Sequence, residues 1–232
     1  YKRQLRDALR PFARARTAKC GRTAVASQID VTMLNGRAHF RGLMRCGSAW
    51  ECPTCAWAVR TARAGEVDAV VRAHVEAGGA VHLLTLTVRH GLGDNFMALR
   101  RGVATAWRRV QSGEPWRRFT KSASLRGCIR TLEVTSGPNG FHPHIHALLL
   151  TAPMSSDTLE EARKFLGARW QRAVGQVLPD SCVPSVRRGC DLRMSSSPGY
   201  LTKLGLSAEL LAPAGKFGRS ENRSMLEVAQ DF

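Results

Sequence analysis

Two segments with alternating side-chain character flank the sequence SGPNG at 136–140, and this pattern strongly constrains the fold. Gly, Pro and Asn are turn-forming residues, so residues 128–135 and 141–150 are predicted to pair as an antiparallel hairpin. The second segment has a histidine at every second position, namely His142, His144 and His146. Successive strand residues point to opposite faces, so the three rings share one face and the apolar residues between them share the other.

The histidine face is a candidate metal site. A turn centred near Pro138-Asn139 places Glu133 opposite residue 144 or so. Directly opposed side chains are roughly 4.5–5.5 Å apart at Cβ, so Glu133 could share an ion with His144 and His146. Sequence alone does not fix the face that Glu133 occupies. Hydrogen-bonded histidines without a metal are the alternative interpretation.

The periodicity of the rest of the chain predicts the fold class. Helices are expected at 58–77, 95–110 and 157–174, with Asp157 as the cap of the third, and strands at 81–88 and 186–193. A further helix should begin near Tyr200. From residue 81 the order is βαββαβ, which predicts an α+β, ferredoxin-like (split-βαβ) fold with a central antiparallel sheet and helices on one face.

The N-terminal region differs from the rest, and we expect residues 1–79 to form a basic region with a cysteine subdomain and one helix. Residues 80–232 would form the second domain. The sequence RCGSAWECPTC supplies Cys46, Cys52 and Cys55, which is most of a structural zinc site. Cys20 is the first choice for the fourth ligand and His39 the second. Reduced thiols without a metal are the alternative.

The charge balance indicates a polyanionic partner. The chain has 35 Lys and Arg residues against 18 Asp and Glu, a formal net charge of +17. DNA or RNA is the first candidate because neutralised phosphates release counterions, although GC-rich coding would also raise the arginine content. There is no apolar run long enough for a membrane span and no signal peptide, so we expect a cytoplasmic protein without a membrane partner. Since it starts at Tyr1 without Met, we expect a fragment of a longer chain.

The sequence GYLTK at 199–203 contains a candidate nucleophile. Tyr200 and Lys203 are three residues apart, which makes them neighbours on a helix surface. A phenolate near a metal could attack a phosphodiester, and the lysine could stabilise the charge that develops. An aromatic residue on a helix is more often part of the core, so this alternative stays open.

These motifs together resemble a known family. The pair His144-Ile145-His146 with Tyr200 and Lys203 downstream is similar to the HUH endonucleases. The segments LTLTVRH (84–90), NGFHPHIHALL and GYLTK more closely resemble the single-tyrosine rolling-circle replication initiators of plasmids from high-GC Gram-positive bacteria.

The resemblance implies a site-specific endonuclease and strand transferase. Tyr200 would nick one strand at a replication origin, leaving a 5′-phosphotyrosine link and a 3′-hydroxyl primer. His144, His146 and Glu133 would bind the nicking ion, with His142 as the substitute if Glu133 faces away. Mn²⁺ would suit these ligands at least as well as Mg²⁺, while the cysteines would bind structural Zn²⁺.

The expected substrate is single-stranded or hairpin origin DNA, and a host helicase and replication machinery are expected partners. The candidate DNA contacts are Arg89, His90, Arg130 and His142. Thr85 and Thr87 belong to the first motif of the family and are expected to be structural or to face the DNA. A plasmid relaxase, an HUH transposase and a non-catalytic zinc-dependent DNA-binding regulator remain alternatives.

Overall fold

The computed structural model describes residues 2–34, 36–48, 51–194 and 223–224. The chain divides into two compact units, with the boundary between residues 63 and 64. Within the described ranges, no helix combines the length and the apolar character needed to cross a membrane.

Short elements make up the first unit. Helix α1 (Lys2–Ala8) is followed by a 3-10 turn (Arg10–Phe12), helix α2 (Ala15–Ala18) and an antiparallel pair of strands, β1 (Asp30–Leu34) and β2 (Arg37–Arg41). Helix α3 (Pro53–Glu76) begins in this unit and continues past residue 64. It starts five residues before the predicted position because Pro53 suits the first helical turn, where a missing N–H costs nothing.

An antiparallel sheet forms the centre of the second unit. Its strands are β3 (Ala80–Leu86), β4 (Gly127–Gly137), β5 (Gly140–Thr151), β6 (Cys190–Met194) and β7 (Arg223–Ser224), in the spatial order β6-β3-β5-β4-β7. The helices are α4 (Phe96–Val110), α5 (Gly113–Ser122), α6 (Ser156–Gly175) and the one-turn α7 (Val186–Gly189), and a 3-10 turn spans Asp180–Cys182.

The connectivity confirms the predicted fold class. Apart from the two-residue β7, the strands follow the order βαββαβ, and the first and third of them, β3 and β5, lie in the middle of the sheet. All strand pairs in this sheet are antiparallel. This is the ferredoxin-like arrangement of an α+β domain.

The main core lies between one face of the sheet and the helices α4 and α6. Leu84, Leu86 and Ile145 point into it and are fully buried with Trp107 and Trp170. The indole N–H of Trp170 donates a hydrogen bond to the Thr87 carbonyl at 2.7 Å, which ties α6 to the end of β3.

The opposite face of the sheet also carries a helix, so the expectation of helices on one face alone is wrong. Val67 and Val71 of α3 pack on Val81, Leu148 and Leu150. The reason is the sequence of β5, which becomes apolar on both faces after residue 146. An apolar patch of this kind must be covered, and α3 covers it.

Three local predictions also need correction. The segment 186–193 is not one strand, because Ser185 accepts a hydrogen bond from the Arg188 N–H at 3.2 Å and caps α7 before β6 begins. Helix α6 is capped by Ser155, which accepts from the Thr158 N–H at 3.2 Å, rather than by Asp157. Helix α5 was not predicted, since its first turn contains Gly113 and Pro115, which also occur in loops.

The β4–β5 turn is centred at Pro138-Asn139, as predicted, and the connection has two residues. Gly137 pairs with Gly140, and Pro138 and Asn139 lie between them. Gly140 has φ +88°, and a Cβ there would lie 3.3 Å from the Gly91 carbonyl oxygen. Glycine is therefore required at this corner, and the turn sets the register of the two long strands.

Candidate functional site

The hairpin register places Glu133 directly opposite His144. His146 lies opposite Thr131 on one side and opposite Thr85 of β3 on the other. Alternation puts all of these side chains on the sheet face that α3 covers at its apolar end. Along β5, this sheet face is therefore polar at residues 144 and 146 and apolar at residues 148 and 150.

The carboxylate and the two imidazoles form a compact cluster. Oε2 of Glu133 lies 3.3 Å from Nε2 of His144 and 3.3 Å from Nε2 of His146. The three side chains are only 12–15% exposed. All three ligand atoms lie within 4.8 Å of one another.

The other ring nitrogens are held by neighbouring oxygens. Nδ1 of His144 lies 3.1 Å from the carbonyl oxygen of His142, and Nδ1 of His146 lies 3.1 Å from Oγ1 of Thr85. With the proton on Nδ1, each ring donates to its oxygen partner and presents a lone pair on Nε2 to the cluster. Such outer partners fix the tautomer and orientation of metal-binding histidines.

The donor set fits a divalent cation. Two ligands about 2.1 Å from one ion are at most about 4 Å apart, and both measured 3.3 Å separations lie within that span. Imidazole nitrogen favours Mn²⁺ and later metals over Mg²⁺, whereas the carboxylate accepts any of them. Glu133, His144 and His146 would hold such an ion.

The surroundings keep the Glu133 carboxylate ionised and the neighbouring His142 ring neutral. Burial alone would raise the pKa of Glu133, but hydrogen bonds and charge from His144 and His146 outweigh it and lower the pKa. Burial, together with repulsion from His144 and His90, lowers the pKa of His142 to about 4. His142 is therefore neutral at physiological pH.

His142 lies beside the cluster rather than in it. Its ring contacts the His144 ring with centroids 5.0 Å apart and the His90 ring with centroids 4.5 Å apart. Because Glu133 faces the histidines, the substitute ligand is not needed. The structure thus brings His90 and His142 next to the candidate ion site as a continuous row of imidazoles.

The two predicted arginine contacts are placed differently. Arg89 is exposed and follows β3 immediately before His90. Arg130 pairs with Ala147, and this register places it on the opposite sheet face from the histidines. The structure therefore does not bring Arg130 to the candidate ion site.

The first unit contains a second cluster, formed by Cys20, Cys46, Cys52 and Cys55, whose sulfur atoms lie within 4.8 Å of one another. The Cys20 sulfur is 3.5 Å from that of Cys55 and 3.6 Å from that of Cys52. Four sulfurs about 2.3 Å from one zinc ion lie about 3.8 Å apart, so the spacing fits a tetrahedral site. His39, the second choice, is exposed on β2.

Three of the four clustered cysteines are buried and Cys46 is half-buried. Burial raises the pKa of the Cys20 thiol to about 12 and also raises the pKa of Cys52. Burial opposes ionisation of Cys46 as well, but hydrogen bonds from the Ser48 N–H and neighbouring thiols lower its pKa below the ordinary value. A bound Zn²⁺ would favour the thiolates and release their protons.

Comparison with known proteins assigns the family. The family model described as "Replication protein" matches residues 41–171, more than half of the chain. The chain belongs to this family of replication proteins. No solved structure matches it. The matched region contains Thr85, Glu133, His144 and His146, and it also contains three of the four clustered cysteines.

Two curated relatives come from Streptomyces. The chain is 32% identical over 201 residues to "Protein rep" of Streptomyces lividans, covering 68% of this chain and 44% of the relative. It is 32% identical over 140 residues to the "Neomycin resistance protein" of Streptomyces cyanogenus, covering 50% and 32%. The chain thus spans less than half the length of either relative. The resemblance to replication proteins of high-GC Gram-positive bacteria is confirmed at the family level.

Two predicted residues, Tyr200 and Lys203, lie outside the described residues. Conversely, the contact between Thr85 and His146 was not foreseen, although alternation in LTLTV already places Thr85 on the face opposite Leu84 and Leu86. Oγ1 of Thr87 donates to the Arg188 carbonyl at 3.2 Å, which favours the structural role of the two expected for it.

Removing the Thr85 hydroxyl should weaken ion binding. Thr85→Val keeps the shape of the side chain but leaves Nδ1 of His146 without its acceptor, so we expect Mn²⁺ to bind about 10–100-fold more weakly. Titration of free Mn²⁺ by electron paramagnetic resonance measures this directly.

Thr131→Val is the matched control for that titration. Thr131 also lies opposite His146, but it makes no described hydrogen bond to the ring. We expect this variant to bind Mn²⁺ like the unmodified chain. Equal affinity for Thr85→Val and the unmodified chain would show that the hydroxyl does not orient His146.

The cysteine cluster should hold about one zinc ion per purified chain. Elemental analysis should find this zinc, and Cys55→Ser should lose it because only three thiolates remain. Cys128→Ser is the control, since Cys128 lies in β4 outside the cluster and should keep the zinc. A folded, zinc-free chain with Cys46 and Cys52 open to alkylation would contradict the assignment.

Proposed function

We propose that the chain initiates rolling-circle replication of a plasmid by nicking and rejoining one DNA strand at the origin. The observation that carries this proposal is the buried cluster of Glu133, His144 and His146 on the polar part of a sheet face, within the region that matches replication proteins. The net charge of +17 supports a nucleic-acid substrate.

The cluster suits phosphoryl transfer because such reactions depend chiefly on positioning and charge stabilisation. A divalent cation held there would neutralise charge on the oxygens of the scissile phosphate. His144 and His146 would orient the ion through Nε2, and Glu133 would add a negative ligand that stays ionised. His90 and His142 would border the bound strand, with Arg89 as a phosphate contact.

Tyr200 is the proposed nucleophile and Lys203 its supporting cation. The phenol oxygen would lose its proton to a base or water and form a bond to phosphorus. The bond from phosphorus to the 3′ oxygen would break, and that oxygen would take up a proton. The products are a 5′-phosphotyrosine link and a 3′-hydroxyl, and the reverse reaction would rejoin the strand.

The proposed substrate is single-stranded at the nick, as in a hairpin extruded at the origin, because the phenol needs an exposed and bendable backbone. Arg130, on the opposite sheet face, would contact DNA away from the ion. A host helicase and polymerase would follow, using the 3′-hydroxyl. The four clustered cysteines would bind Zn²⁺ in a structural role and so stabilise the region 1–79. The proposed location of the protein is the cytoplasm.

A covalent protein–DNA adduct tests the nicking proposal. The substrates are single-stranded oligonucleotides tiled across the replicon that encodes the chain, labelled at the 3′ end and incubated with Mn²⁺. The 3′ fragment carries the 5′-phosphotyrosine link, so the label should migrate with the protein on a denaturing gel. Tyr200→Phe should abolish this band and still bind DNA.

Tyr1→Phe is the matched control, since Tyr1 and Tyr200 are the two tyrosines of the chain. It should form the adduct normally, whereas Glu133→Gln should form little. An adduct with Tyr200→Phe would exclude this nucleophile. DNA binding by the unmodified chain without any adduct would instead favour a non-catalytic DNA-binding regulator.

A further inference from the structure

Positive charge is concentrated in the first unit. Residues 1–63 contain thirteen Lys and Arg residues and three Asp and Glu residues, whereas the longer remainder contains twenty-two and fifteen. The unit therefore holds most of the excess positive charge in about a quarter of the chain. A nicking site on the sheet of the second unit does not explain this distribution.

The three acidic residues of this region are already engaged. Asp7 pairs with Arg6 and Arg22, at 2.9 and 2.7 Å. Glu51 pairs with Arg14 at 3.0 Å, and Asp30 accepts a hydrogen bond from the Gln28 side chain at 2.8 Å. Further cations are exposed, namely Arg10, Arg16, Lys19, Arg41 and Arg45. Their charge is available to an external anion.

The strands β1 and β2 form a short two-stranded ribbon. Each strand has five residues, so the ribbon is about 17 Å long. Val31 pairs with Phe40 and Met33 with Ala38, which places these four side chains on one face. On this face Val31 is 61% exposed and Met33 67%. Leu34 is 62% exposed and lies on the opposite face of the ribbon. Exposed apolar side chains clustered in this way mark an interaction surface.

Basic residues lie at the base of this ribbon. Arg41 ends β2 and is exposed, and Arg45 follows a few residues later. Arg45 lines a cleft beside β2 together with His39 and Arg6. The ribbon thus combines an exposed apolar face with a cationic base. The apolar face suits base edges, and the cationic base suits phosphates.

We propose that the β1–β2 ribbon binds the major groove of double-stranded DNA. The major groove is about 12 Å wide and admits a two-stranded ribbon. Val31 and Met33 would contact base edges, including thymine methyl groups, while Arg41 and Arg45 contact phosphates. This second DNA site concerns a duplex rather than the strand that is cleaved, and it does not rest on the proposed nicking reaction.

A duplex fits this surface better than a single strand or a protein does. Single strands bind to aromatic platforms, and the ribbon has one aromatic residue, Phe40, which is half-buried and already in contact with its surroundings. An acidic protein would match the charge, but Arg41 and Arg45 lie at the base of an element whose dimensions suit the groove. Phosphates lie along both sides of the groove, where they can pair with the exposed cations at the base of the ribbon.

Salt-dependent binding of duplex DNA by the full chain tests the cationic part. Arg41→Gln with Arg45→Gln should reduce the slope of log affinity against log salt by about 2, because each phosphate contact contributes about 0.9. The matched control is Arg100→Gln with Arg101→Gln, which removes equal charge from exposed positions of α4 in the second unit. The control should keep the slope.

The apolar face of the ribbon is tested by Val31→Ser with Met33→Ser, which should weaken duplex binding about tenfold through lost apolar burial. Adduct formation with single strands should be unchanged, so failure of this inference is separate from failure of the nicking proposal. The inference would be overturned if both double variants had the same salt slope and the same duplex affinity as the unmodified chain. A second outcome would also overturn it: the unmodified chain self-associates, and the serine variant loses this self-association but still binds duplex DNA.

Photocrosslinking of the unmodified chain decides the question if a variant does not fold. Duplexes containing 5-iodouracil in place of thymine are irradiated with the protein, and the crosslinked peptides are identified by mass spectrometry. Crosslinks within residues 29–45 support the inference. Duplex crosslinks confined to residues after 63 would overturn it.

Discussion

The register of the β4–β5 hairpin is the constraint on which the candidate active site depends. A two-residue connection between Gly137 and Gly140 pairs Glu133 with His144, and alternation then adds His146 on the same face. A shift of one residue in β4 would send Glu133 to the face that α4 and α6 cover and leave the histidines without their carboxylate. The length of the turn therefore determines which side chains can share an ion, and the ligand residue types alone do not.

The central strand β5 serves two purposes along its length. At residues 148 and 150 its histidine face is apolar and packs on α3, whereas at residues 144 and 146 the same face is polar. The other face is apolar from Phe141 to Leu149, and its Ile145, Ala147 and Leu149 are buried in the core that includes α4 and α6. The imidazoles thus stand on a strand that is fixed from both sides, which suits a preorganised ion site.

The hairpin and its ligands could be predicted from sequence because both depend on local rules: turn residues, period two and the distance across a strand pair. The face of Glu133 could not, since it depends on the number of residues in the turn. We missed the β1–β2 ribbon although Asn35-Gly36 between alternating segments is a strong hairpin signal. Two further features depend on tertiary packing, which no local pattern encodes. They are the packing of α3 on the histidine face of the sheet and the contact of Thr85 with His146.

Pulsed electron paramagnetic resonance of Mn²⁺ bound to the chain tests the central claim most directly, because electron spin-echo modulation detects nitrogen atoms bonded to the ion. The spectrum should contain modulation from two imidazole nitrogens. Replacing either His144 or His146 with alanine should leave one, and replacing His142 should leave two. Modulation without nitrogen, or a nitrogen signal that survives both replacements unchanged, would contradict a metal centre on this hairpin.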